Sequence, residues 1–242
     1  MKSPLLALVC AAVACCFCAC RHGALHVDVD REAFPVKGID ISAHNGDVDF
    51  AQAAADSVAF VMIKATEGTD FCDARFARNR LLARGRGLKV GAYHFFRFDS
   101  PGHLQAYHFM RTVGSDSLDL PLAIDVEDWQ NAQGVPQAEV VEQLVVMTDV
   151  LRSAGHRVMI YTDRNGYADC AEPVLERIPD IGIWISSPSS QPATKGWTLW
   201  QHSHEGAVKG ITGPVDINTF NGSKADFEKW SEYGHNIKHT HP

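Results

Sequence analysis

The sequence predicts an α/β fold, an irregular TIM-like barrel of about five βα units followed by three strands with short connections. Three observations predict it. Eight apolar runs rich in β-branched residues recur along the chain. The first strand starts lie about 22 to 36 residues apart, room for crossover helices and parallel pairing, while the last two gaps of about 16 to 18 residues are too short for a helix. Acidic residues end several of the runs, as expected where strand ends form a functional rim.

The chain of 242 residues carries 22 basic and 29 acidic side chains, a formal charge of −7 that offers nucleic acid no overall attraction. With 45% hydrophobic and 21% charged residues it has the composition of an ordinary globular protein. Five of the seven cysteines fall in the first twenty residues, within an apolar run from Leu5 to Cys20 preceded by Lys2. This run is shorter than a spanning helix and reads as a signal peptide over residues 1–19. A small residue before cysteine, at Ala19-Cys20 or Ala14-Cys15, resembles a lipoprotein processing site, with Cys20 as the expected lipidated residue. An uncleaved anchor and a plain secretory signal are the alternatives. Residues 20–35 read as a tether, 36–233 as the catalytic barrel and 234–242 as a flexible tail. Of the remaining thiols, Cys72 and Cys170 can pair in an oxidising compartment or stay separate.

Strands are expected at Val36–Ser42, Val58–Ala65, Leu88–Phe95, Pro121–Glu127, Arg157–Thr162, Ile181–Ser186, Trp197–Gln201 and Val215–Asn218. Helical signals fall between them: an alanine-rich stretch from Asp49 to Asp56, a segment from Asp73 to Arg84 stopped by Gly85, and Ser100-Pro101 as N-cap and first-turn proline. The clearest helix runs from Pro136 to Ala154, with Val140, Val141, Leu144, Val145, Thr148 and Leu151 on one face and Gly155 beyond. Another is expected from Tyr167 to Glu176, where Pro173 can bend it, and a last one from Ser223 to Tyr233, closing the bottom or side of the barrel. No glycine-rich phosphate loop follows an early strand, which disfavours an open nucleotide-binding sheet.

Asp40, Asp125, Glu127 and Asp216 come from three strands, flanked by aliphatic residues that belong against helices, so the acids face inward or upward. Asp125 and Glu127 are two apart and share a face of an extended strand. Two carboxylates in a partly desolvated site cannot both ionise cheaply, so one keeps its proton, as a general acid for glycosidic cleavage requires. Tyr93, Phe95, Trp129, Tyr161 and Trp200 lie near strand ends, and aromatic faces beside carboxylates suit sugar rings. His44 and His94 read as hydrogen-bonding groups rather than metal ligands. Two rival readings are a metal-dependent hydrolase or deacetylase using Asp40, His94 and Asp125, and a glycan-binding lipoprotein without catalysis.

Gly38-Ile39-Asp40-Ile41-Ser42, Phe60 to Gly68, Gly91-Ala92-Tyr93-His94-Phe95, Asp125-Val126-Glu127, Trp200-Gln201 and Val215-Asp216-Ile217-Asn218 together resemble the family 25 glycoside hydrolases, the lysozyme-type muramidases. The resemblance spans about Val36 to Asn221. It implies hydrolysis of the β-1,4 bond between N-acetylmuramic acid and N-acetylglucosamine, with no metal and no organic cofactor. It makes Glu127 the general acid. Asp125 would steady the positive charge directly or by orienting the substrate's acetamido group, and Asp40 and Asp216 would complete the acidic cup. Tyr93, Tyr161, Trp200 and Gln201 are the expected substrate-binding residues. The expected partners are peptidoglycan glycan strands and, through the lipid anchor, a membrane; the protein is expected to be a monomeric lipoprotein of the cell envelope.

Overall fold

A computed structural model describes residues 26–115 and 118–232. The expected signal peptide, Cys20 and the expected tail after residue 232 lie outside the described residues. The strands are β1 (Lys37–Ile41), β2 (Val58–Glu67), β3 (Phe71–Cys72), β4 (Lys89–Phe95), β5 (Leu122–Asp125), β6 (Val158–Thr162), β7 (Gly182–Ser186), β8 (Leu199–Gly206) and β9 (Val215–Phe220). The sheet runs β1-β9-β8-β7-β6-β5-β4-β2-β3 and closes through a β1–β2 pairing, so all strands but the short β3 form a barrel. Pairing is parallel from β1 through β2 and β4 to β8, whereas β9 runs antiparallel to both β8 and β1. The short final connections therefore do what their length dictates: a loop joins β7 to β8, and a hairpin joins β8 to β9.

The helices are α1 (Phe50–Ala55), α2 (Phe76–Arg84), α3 (Gly102–Val113), α4 (Gln137–Ser153), α5 (Arg164–Gly166), α6 (Glu172–Arg177) and α7 (Lys224–Glu232). The Asp49 carboxylate caps α1, accepting from the Ala51 and Gln52 amides. Two helices start later than their sequence signals. The Asp73 carboxylate accepts from Ala43 N at 2.8 Å and Arg75 N at 2.9 Å, tying the β1 exit to this turn, so α2 begins only at Phe76. Pro101 is the extended residue before α3 rather than its first helical position, and the Gln143 side chain of α4 accepts from Gly102 N at 2.8 Å. Between α5 and α6 the chain forms a π-helical turn, Tyr167–Ala171. Pro173 cannot donate to the Asp169 carbonyl, which accepts instead from the Gln137 side chain.

Alternation along the strands builds two cores. Ile39, Ile41, Val61, Ile63, Ile124, Ile160, Ile183 and Ile217 point outward against the helices. Phe60, Met62, Ala123, Met159, Trp184, Leu199 and Phe220 fill the barrel interior, and Phe227 of α7 packs with them. A side chain at Gly38 would overlap the Phe60 ring, so glycine there lets that ring cross the barrel. The lower interior is thus solid, and only the end where the parallel strands finish is left for polar groups.

Residues 26–35 lie against the barrel. Val27 N donates to His202 O at 3.0 Å, His26 forms a bridge with Ser203, and Phe34 packs on Trp197 and Trp200. This segment is therefore a strap across β8, where the sequence predicts a tether.

Candidate active site

The inward positions at the upper ends of the strands are Asp40 (β1), Lys64 (β2), Tyr93 (β4), Asp125 (β5), Tyr161 (β6), Ser186 (β7), Gln201 and His204 (β8), and Asp216 and Asn218 (β9). Asp40 and Asp216 are directly opposed in the β1–β9 register. Asp40 is 6% exposed, and its Oδ2 accepts from Gln201 Nε2 at 2.9 Å and Asn218 Nδ2 at 2.7 Å. Those amides are themselves oriented, because Tyr161 O–H donates to Gln201 Oε1 at 2.8 Å and Trp184 Nε1 donates to Asn218 Oδ1 at 2.7 Å. Burial, and next the Asp216 charge, hold the Asp40 carboxyl well above the usual range.

Asp125 ends β5, and the chain runs on through Val126, whose N–H donates to Tyr161 O at 2.9 Å, to place Glu127 over the same opening. The two carboxyls are near enough for each to influence the other's ionisation. Burial is the largest influence on both and raises both; for Asp125, also 6% exposed, the Glu127 charge adds to it. Asp125 Oδ1 is buried and has no hydrogen-bond partner among the described residues. Asn131 holds the following loop, donating to Glu127 O at 2.8 Å and Phe96 O at 2.9 Å while accepting from Phe98 N at 2.9 Å. The four acids expected from the sequence therefore converge at one mouth.

A cavity of about 240 Å³ opens beside Glu127, lined among others by Trp129, Tyr161, Asp163, Asn165, Ser186 and His204. A larger hollow, about 550 Å³, lies on the flank between α1, α2 and residues 210–212 and contains none of the four acids. The inward chemistry, rather than size, marks the site. Tyr93 and Tyr161 stand edge-on to Trp184 in the cup, and burial raises both phenols well above their usual range. Trp129 is 66% exposed on the rim.

Three expected positions fall elsewhere. Trp200, expected to bind substrate, alternates outward between Leu199 and Gln201; it is 2% exposed, packs against Phe34 and Trp197, and donates Nε1 to Ser187 O at 2.9 Å. It is a packing residue, and only Gln201 of that pair enters the cup. His94 likewise points outward. It lies between Thr66 Oγ1 at 2.8 Å and Gln105 Oε1 at 3.0 Å, and burial lowers its pKa to about 4. Asp40, His94 and Asp125 thus do not face one another, which removes them as a metal-ligand trio. His44 is exposed on a 3-10 turn, Ala43–Asn45. Cys72 and Cys170 are separate free thiols, one exposed and one buried.

Sequence reasoning misses two cationic partners. His204 Nδ1 lies 3.1 Å from Asp216 Oδ1. Lys64 Nζ lies 2.7 Å from Glu67 Oε2 and 5.0 Å above the Phe95 ring, and its charge favours ionised Asp125. Both positions follow from inward alternation, but β8 carries register irregularities between Gln201 and Gly206, which hide His204 from simple counting.

This barrel and its acids match known proteins. The family model for glycosyl hydrolases family 25 matches residues 39–211, which include Asp40, Asp125 and Glu127. The chain is 34% identical over 187 residues to the autolytic lysozyme of Clostridium acetobutylicum, covering 76% of this chain and 56% of that protein. It is 32% identical over 203 residues to lysozyme M1 of Streptomyces globisporus, covering 78% and 69% of the two chains. The structure of a family 25 glycosyl hydrolase from Bacillus anthracis superposes with a TM-score of 0.77 at 32% identity, over 87% of this chain and 98% of the other. With ordered motifs, closed barrel and converging carboxyls in agreement, the chain belongs to glycosyl hydrolases family 25.

Proposed function

We propose that this protein is a peptidoglycan hydrolase that cleaves the β-1,4 bond between N-acetylmuramic acid and N-acetylglucosamine. The observation that carries the mechanism is the buried Asp125 carboxyl beside Glu127 at the mouth of a packed barrel, where burial favours the protonated form of each. Glu127 borders the open cavity and is the general acid for the leaving oxygen. Asp125 Oδ1 has no hydrogen-bond partner among the described residues and is free to accept the N–H of a substrate acetamido group. That bond favours ionised Asp125 and leaves Glu127 as the carboxyl that keeps its proton, where the reaction needs it. Asp40, already satisfied by Gln201 and Asn218, and Asp216 place carboxyl oxygens close to the developing oxocarbenium ion. Tyr93, Tyr161 and Gln201 shape the floor on which the sugar rests. The lysozymes among its relatives support this substrate class.

We further propose that the protein acts as a monomer and that the N-terminal segment exports it and anchors it to a membrane through Cys20. Mass analysis of intact protein from membranes tests the anchor: a lipid adduct at Cys20 is expected, and an unmodified residue would refute it. For the activity, fragments released from purified peptidoglycan should carry new reducing ends on N-acetylmuramic acid. Reducing ends on N-acetylglucosamine, or no release, would overturn the assignment. Glu127→Gln should lower the rate by about 10²-fold to 10⁴-fold, the range expected for loss of a general acid.

A further inference from the structure

Two hydrogen-bonded chains meet in the cup. In one, His204 Nδ1 lies 3.1 Å from Asp216 Oδ1, and its Nε2 lies 3.3 Å from Ser186 Oγ. In the other, Tyr161 O–H donates to Gln201 Oε1 at 2.8 Å and Gln201 Nε2 donates to Asp40 Oδ2 at 2.9 Å, with Asp40 directly opposite Asp216 across the β1–β9 pair.

His204 Nδ1 carries a hydrogen where it meets the Asp216 carboxylate at 3.1 Å. The carboxylates around the imidazole ring, Asp216 first and then Glu127 and Glu205, favour a second hydrogen on Nε2 and so the imidazolium form.

We propose that His204 is a positioning residue whose positive charge, held against Asp216 in the same cavity as Glu127, sets the pH range in which Glu127 acts as acid. The inference rests on the glycosidase reading of the site. Facing His204 are Asp216 from β9, Glu205 beside it on β8, Ser186 from β7 and Glu127 beyond β5, with Asp128, Asp163 and Asp169 along the same cavity. The Asp216 hydrogen bond is the largest influence raising the His204 pKa, and the His204 charge in turn lowers that of Glu127. Removing this cation should raise the pKa of Glu127 and, through it, of the coupled Asp125–Glu127 pair, so both limbs of a bell-shaped profile should move upward.

Full-length enzyme tests this with pH–rate profiles on purified peptidoglycan and NMR titration of the His204 ring. Wild-type His204 should titrate above the ordinary histidine value, and Asp216→Asn should bring it down by about one pH unit, the effect of losing a close charge in a partly solvated site. His204→Gln should shift both limbs upward by roughly half to one pH unit and so lower kcat at the wild-type optimum by at most about threefold to tenfold. Superimposable profiles, or His204 titrating at or below its ordinary value in wild type, would overturn the proposal. Should His204→Gln fail to fold, the titrations in wild type and Asp216→Asn decide. Wild-type enzyme that releases no reducing ends while His204 titrates high would instead defeat the glycosidase reading and leave the charge assignment standing.

Discussion

Asp125 is buried, has no partner on Oδ1 among the described residues and lies beside the Glu127 charge, so the fold holds it at an energetic cost. Its folded pKa is raised above the unfolded value. Such a group stabilises the fold at low pH and loses that contribution as pH rises from about 4 through the folded pKa. Asp125→Asn, neutral at every pH, should therefore raise Tm at pH 7 by a few degrees, on the order of 1 kcal/mol, while losing most activity. Calorimetry at pH 4 and pH 7 checks this: the gain should be present at pH 7 and shrink at pH 4, and a variant less stable at pH 7 would contradict it. Trp200 makes the opposite case. Its ring is enclosed by Phe34, Trp197 and His202, so Trp200→Ala should cost about 3–5 kcal/mol in denaturant melts, while folded enzyme keeps kcat/KM within a few-fold. A large loss of kcat/KM with little loss of stability would restore it as a sugar platform. These two residues show what sequence can reach in a site. The four acids are legible because a carboxyl cannot be buried unpaired among the aliphatics that flank it, so it must sit where a strand meets a polar rim. Trp200 is not, because an aromatic residue has the same composition signal inside or outside a barrel; only the phase of alternation, set by Leu199 and Gln201, tells the two apart.

Among the elements, strands can be read to within a few residues, because β-branched runs buried on both faces leave a continuous signal. The exceptions have local causes. β8 runs on to Gly206 because its second half pairs with β9 in a hairpin, where polar residues such as His204 and Glu205 sit on a strand that sequence reads as a loop. The segment after β6 has the signal of one helix but splits around a π turn, since Pro173 removes a donor and Gln137 replaces it. Helix contacts leave no comparable signal, and Gly102 is the sharpest instance. A Cβ there would overlap the Gln143 carbonyl of α4, so the first turn of α3 lies directly against its neighbour. Ordinarily Gly→Ala favours a helix by about 1 kcal/mol. Here Gly102→Ala should destabilise by roughly 1–3 kcal/mol, the usual cost of overpacking, with the pH profile of activity unchanged. A neutral or stabilising effect in urea melts would show that α3 and α4 separate freely.

At the scale of the whole molecule, the barrel carries ionisable groups that respond to acid in opposite directions. The raised carboxyls Asp40, Asp125 and Glu127 favour the fold as pH falls. His94 and His202 act the other way: burial lowers each to about 4, below the unfolded value near 6.5, so the stability they confer above that value is lost as pH falls towards 4. His202 owes its state to the strap. Its Nδ1–H donates to Val27 O at 2.9 Å and its Nε2 accepts from Arg31 at 3.2 Å, a neutral ring that protonation would set against the guanidinium. Phe34, from the same segment, covers Trp197 and Trp200. A chain beginning at Val36 should therefore lose the Phe34 packing at every pH, about 2 kcal/mol or roughly 4–8 °C in Tm for a domain this size. It should also free His202 to titrate near its ordinary value, so acid no longer costs it that share. The difference in Tm between chains beginning at His26 and at Val36 should accordingly be largest at pH 7 and narrow by pH 4.5. A difference that stays constant or widens on acidification would show that the strap contributes packing alone and that His202 does not report its closure.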